Sequence, residues 1–357
     1  GWMTMPQTGY FAVNGMSAVE SFSTYLNQTI EIVDGWGIIS TYIEPEDPNL
    51  SSVFSSITDD GNGMDKTDLL SNMRLGCKDP YEEREKGDLG RFGSGMKTAS
   101  FSQAKMLIVA SKTKKDSLNG ALWDIERIQS ENEWILTMLS AKEVSKFIPR
   151  NTKEINKSGT QVIWSKIDRY ENLDKEMLES LLHQDIVKIK RAIAVYFHRF
   201  LKVDKDDKDH IDKITINVNG DKIYPLDPFM RSFDGYQETH SGSLRSAEGK
   251  TDIVIHNIPH PDRLSKTEIE KVGGLENYNS KQGFYIYRDR RLMIEGDWLG
   301  THAAGVLGNR ARVQIDMTSK MDHLWGTDVK KASFQFPPKV LTKLRTLSRA
   351  SFRALVN

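Results

Sequence analysis

The chain has 357 residues, enough for two domains with cores of their own. Its 49 basic and 49 acidic residues cancel, which excludes a general electrostatic pull toward nucleic acid or a membrane surface. No apolar run is long enough to span a bilayer, no secretory leader is visible at Gly1-Trp2-Met3, and the single cysteine, Cys77, excludes an internal disulfide and fits a reducing cytoplasm.

Residues 16–30, MSAVESFSTYLNQTI, have helical spacing, and the apolar stretches IEIVD and GIISTYI read as strands. SSVFSSITDDGNGM runs a strand into a turn rich in Asp and Gly. In DKTDLLSNMRLG, Asp65 is the expected helix N-cap. Residues 77–94 are charged and glycine-bearing, an expected mobile loop, and MKTASFSQA resumes a helix. KMLIVASKT, GALWDIERIQ, EWILTMLS and GTQVIWSKI read as successive strands of one antiparallel sheet. Residues 174–201 carry the strongest helical pattern and separate this first unit from a second. The second is expected to hold the strands KITINVNGDKI, TDIVIHNI, GFYIYRDRRLMI and ARVQIDM, and to end in a basic helix after Pro337-Pro338. Asn219-Gly220 is a good hairpin turn.

The stretch GDLGRFGSGMKT, residues 87–98, invites comparison with a Walker-type phosphate loop, G-x-x-x-x-G-K-[ST]. Gly90 and Gly95 have the required separation, but Met96 stands between them and Lys97-Thr98. One extra residue turns both side chains by about 100° around the helix. The loop therefore binds phosphate by another geometry or not at all. Two other motifs flank it: Asp59-Asp60-Gly61-Asn62-Gly63-Met64 after a strand, and Gly159-Thr160 opening one. Each alone is an ordinary turn or strand start; their order and spacing are less ordinary.

With DDGNGMDKTDL, MRLGCKDPYEER, GDLGRFGSGMKTASFS, SGTQVIW, QGFYIYRDRRLMI and MDHLWGTDVKKA, the chain resembles the GHKL superfamily of gyrase B, heat-shock chaperone, histidine-kinase and MutL type ATPases. Within it the sequence is most similar to bacterial ATP-binding proteins related to the Morc ATPases. The likeness covers roughly residues 55–340. It implies an α/β fold: a Bergerat-type two-layer α/β sandwich ATPase domain over 1–170, a connecting helix over 171–204, and a βαβ transducer-like domain with a C-terminal helix over 205–357. It implies ATP and Mg²⁺ as cofactors, a second copy of the chain as partner, and a nucleic acid or protein client, without a membrane. Asp59 would accept from the adenine amine, and Thr160 would hold the bridging water. Gly61 and Gly63 would let the backbone pass close to the base, and Met64 would pack on its ring. Gly90, Gly93 and Gly95 would offer N–H groups to the triphosphate at a helix start. Lys97 would either add a cation there or be a solvated surface lysine.

The pattern departs from the family at the N-terminal helix, which ordinarily carries Glu and Asn four residues apart on one face. Asn27 is the candidate Mg²⁺ ligand, but Ser23 stands where the general base belongs. Glu20 and Glu31 are the candidate substitutes, and a helix unrelated to metal is the alternative. Lys330 or Lys331, in WGTDVKKASF, is expected to reach the γ-phosphate. Arg288, Arg290 and Arg291 beside Tyr285 and Tyr287 form a basic cluster that either touches nucleic acid or makes ion pairs. His256 and His260 are not read as metal ligands, because Pro259 breaks the helical spacing. Three functions follow: a slow Mg²⁺-dependent ATPase driving dimer opening and closing, an ATP-gated switch that hardly hydrolyses, and a histidine kinase. The last would need a phosphoacceptor histidine ahead of the nucleotide domain, and none precedes His183.

Overall fold

A computed structural model describes residues 31–33, 55–75, 95–102, 104–148, 155–167, 173–202, 214–246, 249–321, 342 and 344–346. Strand β1 (Glu31–Val33) lies parallel to β2 (Ser55–Asp59), with Ile32 beside Asp59. Helix α1 (Lys66–Met73) begins where its cap was expected: the Asp65 carboxylate accepts from Asp68 N at 2.8 Å. There follow α2 (Gly95–Phe101), β3 (Met106–Lys112), β4 (Asn119–Asp124), α3 (Ile125–Glu131), β5 (Leu136–Leu139), α4 (Ala141–Val144) and β6 (Gly159–Ser165).

In β3 every residue from Met106 to Ser111 is buried, so both faces of the sheet are covered there. Leu107 and Val109 face a core shared with Leu69 and Met73 of α1. Met106, Ile108 and Ala110 face a smaller one with Val144 of α4. Gly120 permits that second contact, since a Cβ on it would stand 2.3 Å from Val144 Cγ2.

Helix α5 (Lys175–Tyr196) starts at Asp174, which accepts from Met177 N at 2.8 Å. Leu178, Leu182, Ile186, Ile189 and Ile193 repeat at helical spacing and line the first core. Val195, the last residue but one of the helix, packs instead with Phe229, Tyr285, Tyr287 and Leu292. The helix breaks at Phe197 and a short α6 (His198–Leu201) follows.

The hairpin β7 (Thr215–Val218) and β8 (Asp221–Lys222) turns through Asn219-Gly220, both at positive φ, as expected for that pair. Its place corrects the sequence expectation. β7 pairs antiparallel with β1, so the hairpin completes the first sheet, in the order β5-β4-β3-β6-β2-β1-β7-β8. Ile214, Ile216 and Val218 alternate along it and bury in the first core. All neighbours in this sheet are antiparallel except β1 and β2.

The second sheet has the order β12-β11-β13-β10-β9. It comprises β9 (Gln237–Ser246), β10 (Gly249–Asn257), β11 (Gly283–Arg288), β12 (Arg291–Asp297) and β13 (Ala311–Met317). Helices α7 (Lys266–Lys271) and α8 (Gly274–Ser280) lie between β10 and β11 in the chain. β11 and β13 are parallel and the other pairs antiparallel. Leu344, in a helical stretch, is buried against this sheet's core.

The arginine cluster in β11 and β12 is not a solvent-facing strip. Arg288 and Arg291 are buried, and Arg290 donates to Arg199 O at 3.0 Å. Burial, reinforced by the neighbouring Arg288, pushes the Arg291 guanidinium down to about 10. His256 is buried between Tyr236 (2.7 Å) and Gln314 (3.1 Å). Among the described residues, no helix is long and apolar enough to cross a membrane.

Candidate functional site

Strand β2 ends at Asp59, and the chain there turns back toward the ends of β3 and β6. The half-buried Asp59 carboxylate is held through one oxygen. Its Oδ1 accepts from Gly61 N at 2.8 Å and from Thr160 N at 3.2 Å. The second oxygen, Oδ2, has no hydrogen-bond partner among the described residues. Burial pushes the carboxyl above its ordinary value, the two N–H groups pull it back, and Asp60 adds to the rise.

Two glycines let these strands approach. Gly63 has φ +69°, and a Cβ there would stand 1.9 Å from Lys112 O. Gly159 has φ +145°, and its Cβ would stand 2.1 Å from Asp59 O. Both positions therefore exclude every other residue, by torsion and by space. Met64 is half-buried against the first core, and its N–H donates to Ser111 Oγ at 2.8 Å.

Ser111 was not singled out by the sequence. It is fully buried at the end of β3, opposite Thr160 in register. Its hydroxyl also lies 3.0 Å from Gly159 O and 3.0 Å from Thr160 Oγ1. One side chain thus ties the first and third motifs together. A serine in an apolar strand, two residues before a turn, carries no sign in the sequence of the partners it meets in the fold.

The second motif is represented by its last residue alone. Gly95 opens α2 as expected, with an ordinary φ and nothing within 4 Å of a Cβ placed on it. Lys97 differs from the expectation of a solvated surface lysine. It is 2 % exposed, and its ammonium donates to Asn72 O in the last turn of α1 at 2.5 Å. Helix α2 is fixed from its other side as well: Trp164 Nε1 donates to Ser100 Oγ at 2.7 Å, which donates to Met96 O. Trp123 Nε1 holds Met73 O at the end of α1 at 3.1 Å.

Glu20, Ser23, Asn27, Gly90, Gly93, Lys330 and Lys331 lie outside the described residues. Glu31 is described, and it lies in β1 paired in register with Thr58. Among the described residues, no group of three His, Cys, Asp or Glu could hold a metal ion.

Asp59, Gly61, Gly63, Met64 and Thr160 thus lie together at one end of the central strands β2, β6 and β3. The whole of that assembly falls inside one comparison. Residues 39–160 match the family described as histidine kinase-, DNA gyrase B-, and HSP90-like ATPase. The matched stretch of this ATPase type runs from before β2 to Thr160 and so contains the described parts of all three motifs. It supports the superfamily resemblance and ATP binding. A comparison with curated proteins finds no match.

Proposed function

We propose that the chain is an Mg²⁺-dependent ATP-binding protein whose slow ATPase cycle changes its conformation and its pairing with a second copy. The observation that carries this reading is the Asp59 carboxylate. It is fixed through Oδ1 by two backbone N–H groups, with Oδ2 left to accept from an exocyclic amine. The close approaches at Gly63 and Gly159 support it, because they bring the Asp59 turn against the ends of β3 and β6 with no side chain between. Thr160 stands beside Asp59 to hold a bridging water, and Met64 and Gly61 line the approach. Gly90, Gly93 and Gly95 would supply N–H groups to the triphosphate. Asn27 would hold Mg²⁺, which neutralises phosphate charge when bound. Lys330 or Lys331 would face the γ-phosphate. The narrower likeness to Morc-related proteins, a nucleic acid or protein client, and a cytoplasmic setting belong to the same proposal.

The test is a thermal melt with and without MgATP. A ligand that binds only the folded state adds about 2.7 kcal/mol at a hundredfold excess over its dissociation constant. A melt that does not move at saturating MgATP overturns the reading.

Ser23, four residues before Asn27, favours a second reading: an ATP-gated switch that hardly hydrolyses. A general base is worth about 10² to 10⁴ in rate. If Asn27 is the metal ligand, Ser23→Glu raises phosphate release. If Glu20 has taken over, Glu20→Gln abolishes release and leaves ATP binding intact. Brisk hydrolysis that neither change alters refutes the placement of this helix.

A further inference from the structure

The three hydrogen bonds at Ser111 can all form together in only one arrangement of the Ser111 and Thr160 protons. A hydroxyl has one proton to give and two lone pairs to receive with. Ser111 Oγ has three partners: Met64 N at 2.8 Å, Gly159 O at 3.0 Å and Thr160 Oγ1 at 3.0 Å. Met64 N can only donate, and Gly159 O can only accept. The Ser111 proton therefore goes to Gly159 O. Its lone pairs receive the Met64 N–H and, as the remaining bond, the Thr160 O–H. Ser111 is wholly buried, so water does not reach its own hydroxyl.

This assignment has an effect beyond Ser111 itself. The only proton of Thr160 is drawn inward, and its oxygen presents lone pairs alone. Thr160 adjoins Asp59, since its own N–H donates to Asp59 Oδ1. The ionised Asp59 carboxylate likewise presents only acceptors. The two side chains at this end of the strands therefore both ask for donors. A base with an exocyclic amine supplies one. The water bridging the two side chains gives both its protons to these two acceptors, so toward the base it too can only accept, and a ring carbonyl in the same place meets acceptors alone.

We propose that Ser111 is a positioning residue that sets base specificity, by holding the Thr160 proton away from the nucleotide. The inference rests on the ATP-binding reading above. It assigns the discrimination between a 6-amino and a 6-oxo purine to a side chain that touches neither. Its nearest partners in the sequence are 47 residues away, so the role depends on the fold and not on a local motif.

Dissociation constants for ATP and ITP test it, measured by calorimetry on the full chain. ITP replaces the amine of ATP with a carbonyl. Wild type is expected to prefer ATP. Ser111→Ala frees the Thr160 hydroxyl to turn outward and donate, so the ATP-to-ITP preference narrows by about tenfold, the worth of one hydrogen bond. Ser111→Cys keeps the side-chain volume with a much weaker donor and acceptor. It is read in the same assay, so the result does not depend on the alanine variant folding. In a Thr160→Val background the serine substitution has nothing left to act through and leaves the preference unchanged.

Equal losses for both nucleotides, with the preference intact, mean that Ser111 merely supports the loop, and the inference falls. A preference that narrows as much in the Thr160→Val background also overturns it. Wild type that binds neither nucleotide removes the ATP-binding reading and this inference with it. Wild type that binds ATP while the preference stays fixed in both serine variants removes this inference alone.

Discussion

Three glycines, replaced one at a time by alanine, separate torsion from space in this fold. At Gly95 the φ is ordinary and a Cβ meets nothing within 4 Å. Alanine there is neutral or stabilising, by up to about 1 kcal/mol, because it opens a helix. At Gly220 the φ is +79° and the space is again open. Alanine there costs only the left-handed torsion, about 1–2 kcal/mol. At Gly63 the φ is +69°, and the added carbon would stand 1.9 Å from Lys112 O. That partner is backbone in a central strand and cannot swing aside. The torsion cost is joined by overpacking of about 1–3 kcal/mol or more, for about 2–5 kcal/mol altogether. Urea unfolding followed by far-UV circular dichroism gives the three changes on one scale. Gly63→Ala should also lose ATP binding under conditions where it remains folded, because the loop carrying Asp59 is displaced. If Gly63→Ala costs no more than Gly220→Ala, the close approach to β3 is not as described, and the placement of Asp59 that depends on it falls.

Asp59→Asn keeps an oxygen for Gly61 and Thr160 but carries no charge. Burial raises the Asp59 carboxyl above its ordinary 3.8, so the stability it contributes is full below 3.8 and is lost as pH rises through its folded value. At neutral pH the variant should therefore melt higher than wild type without nucleotide, yet show no shift with MgATP. A lower melting temperature would refute the desolvation account. His256 is held to about 4 chiefly by burial, against its ordinary 6.5. The stability of its neutral form is present above 6.5 and lost as pH falls toward 4, up to about 3 kcal/mol. His256→Asn should flatten the acid limb of a stability-versus-pH curve; an unchanged slope would show that other groups set it.

Local chemistry was legible in the sequence, and pairing across distance was not. The Asp65 cap and the Asn219-Gly220 turn are decided within four residues, and both stand where the sequence put them. The glycines around Asp59 signalled a backbone that must pass close to something, though not that the something was Lys112 O. Alternation in Ile214, Ile216 and Val218 announced a buried face without saying which sheet would bury it. Lysine is ordinarily exposed, so the burial of Lys97 had no sequence signal; its acceptor lies 25 residues away. Ser111 was invisible for the same reason. A strand serine reveals a proton network only once its partners have been brought beside it.

Because β7 pairs with β1, synthesis cannot finish the first sheet in passing. Strand β1 emerges from the ribosome early, but its second neighbour is the segment ending at Val218. In between, the chain must supply β2 to β6 and the long α5 while one edge of β1 waits unpaired. The strands of this sheet therefore cannot lock in the order they are made, although the sheet is complete at Lys222, before β9 begins at Gln237. A nascent chain arrested before residue 215 exposes a strand edge to its neighbours, and closing it is a late, long-range step of the kind that slows folding.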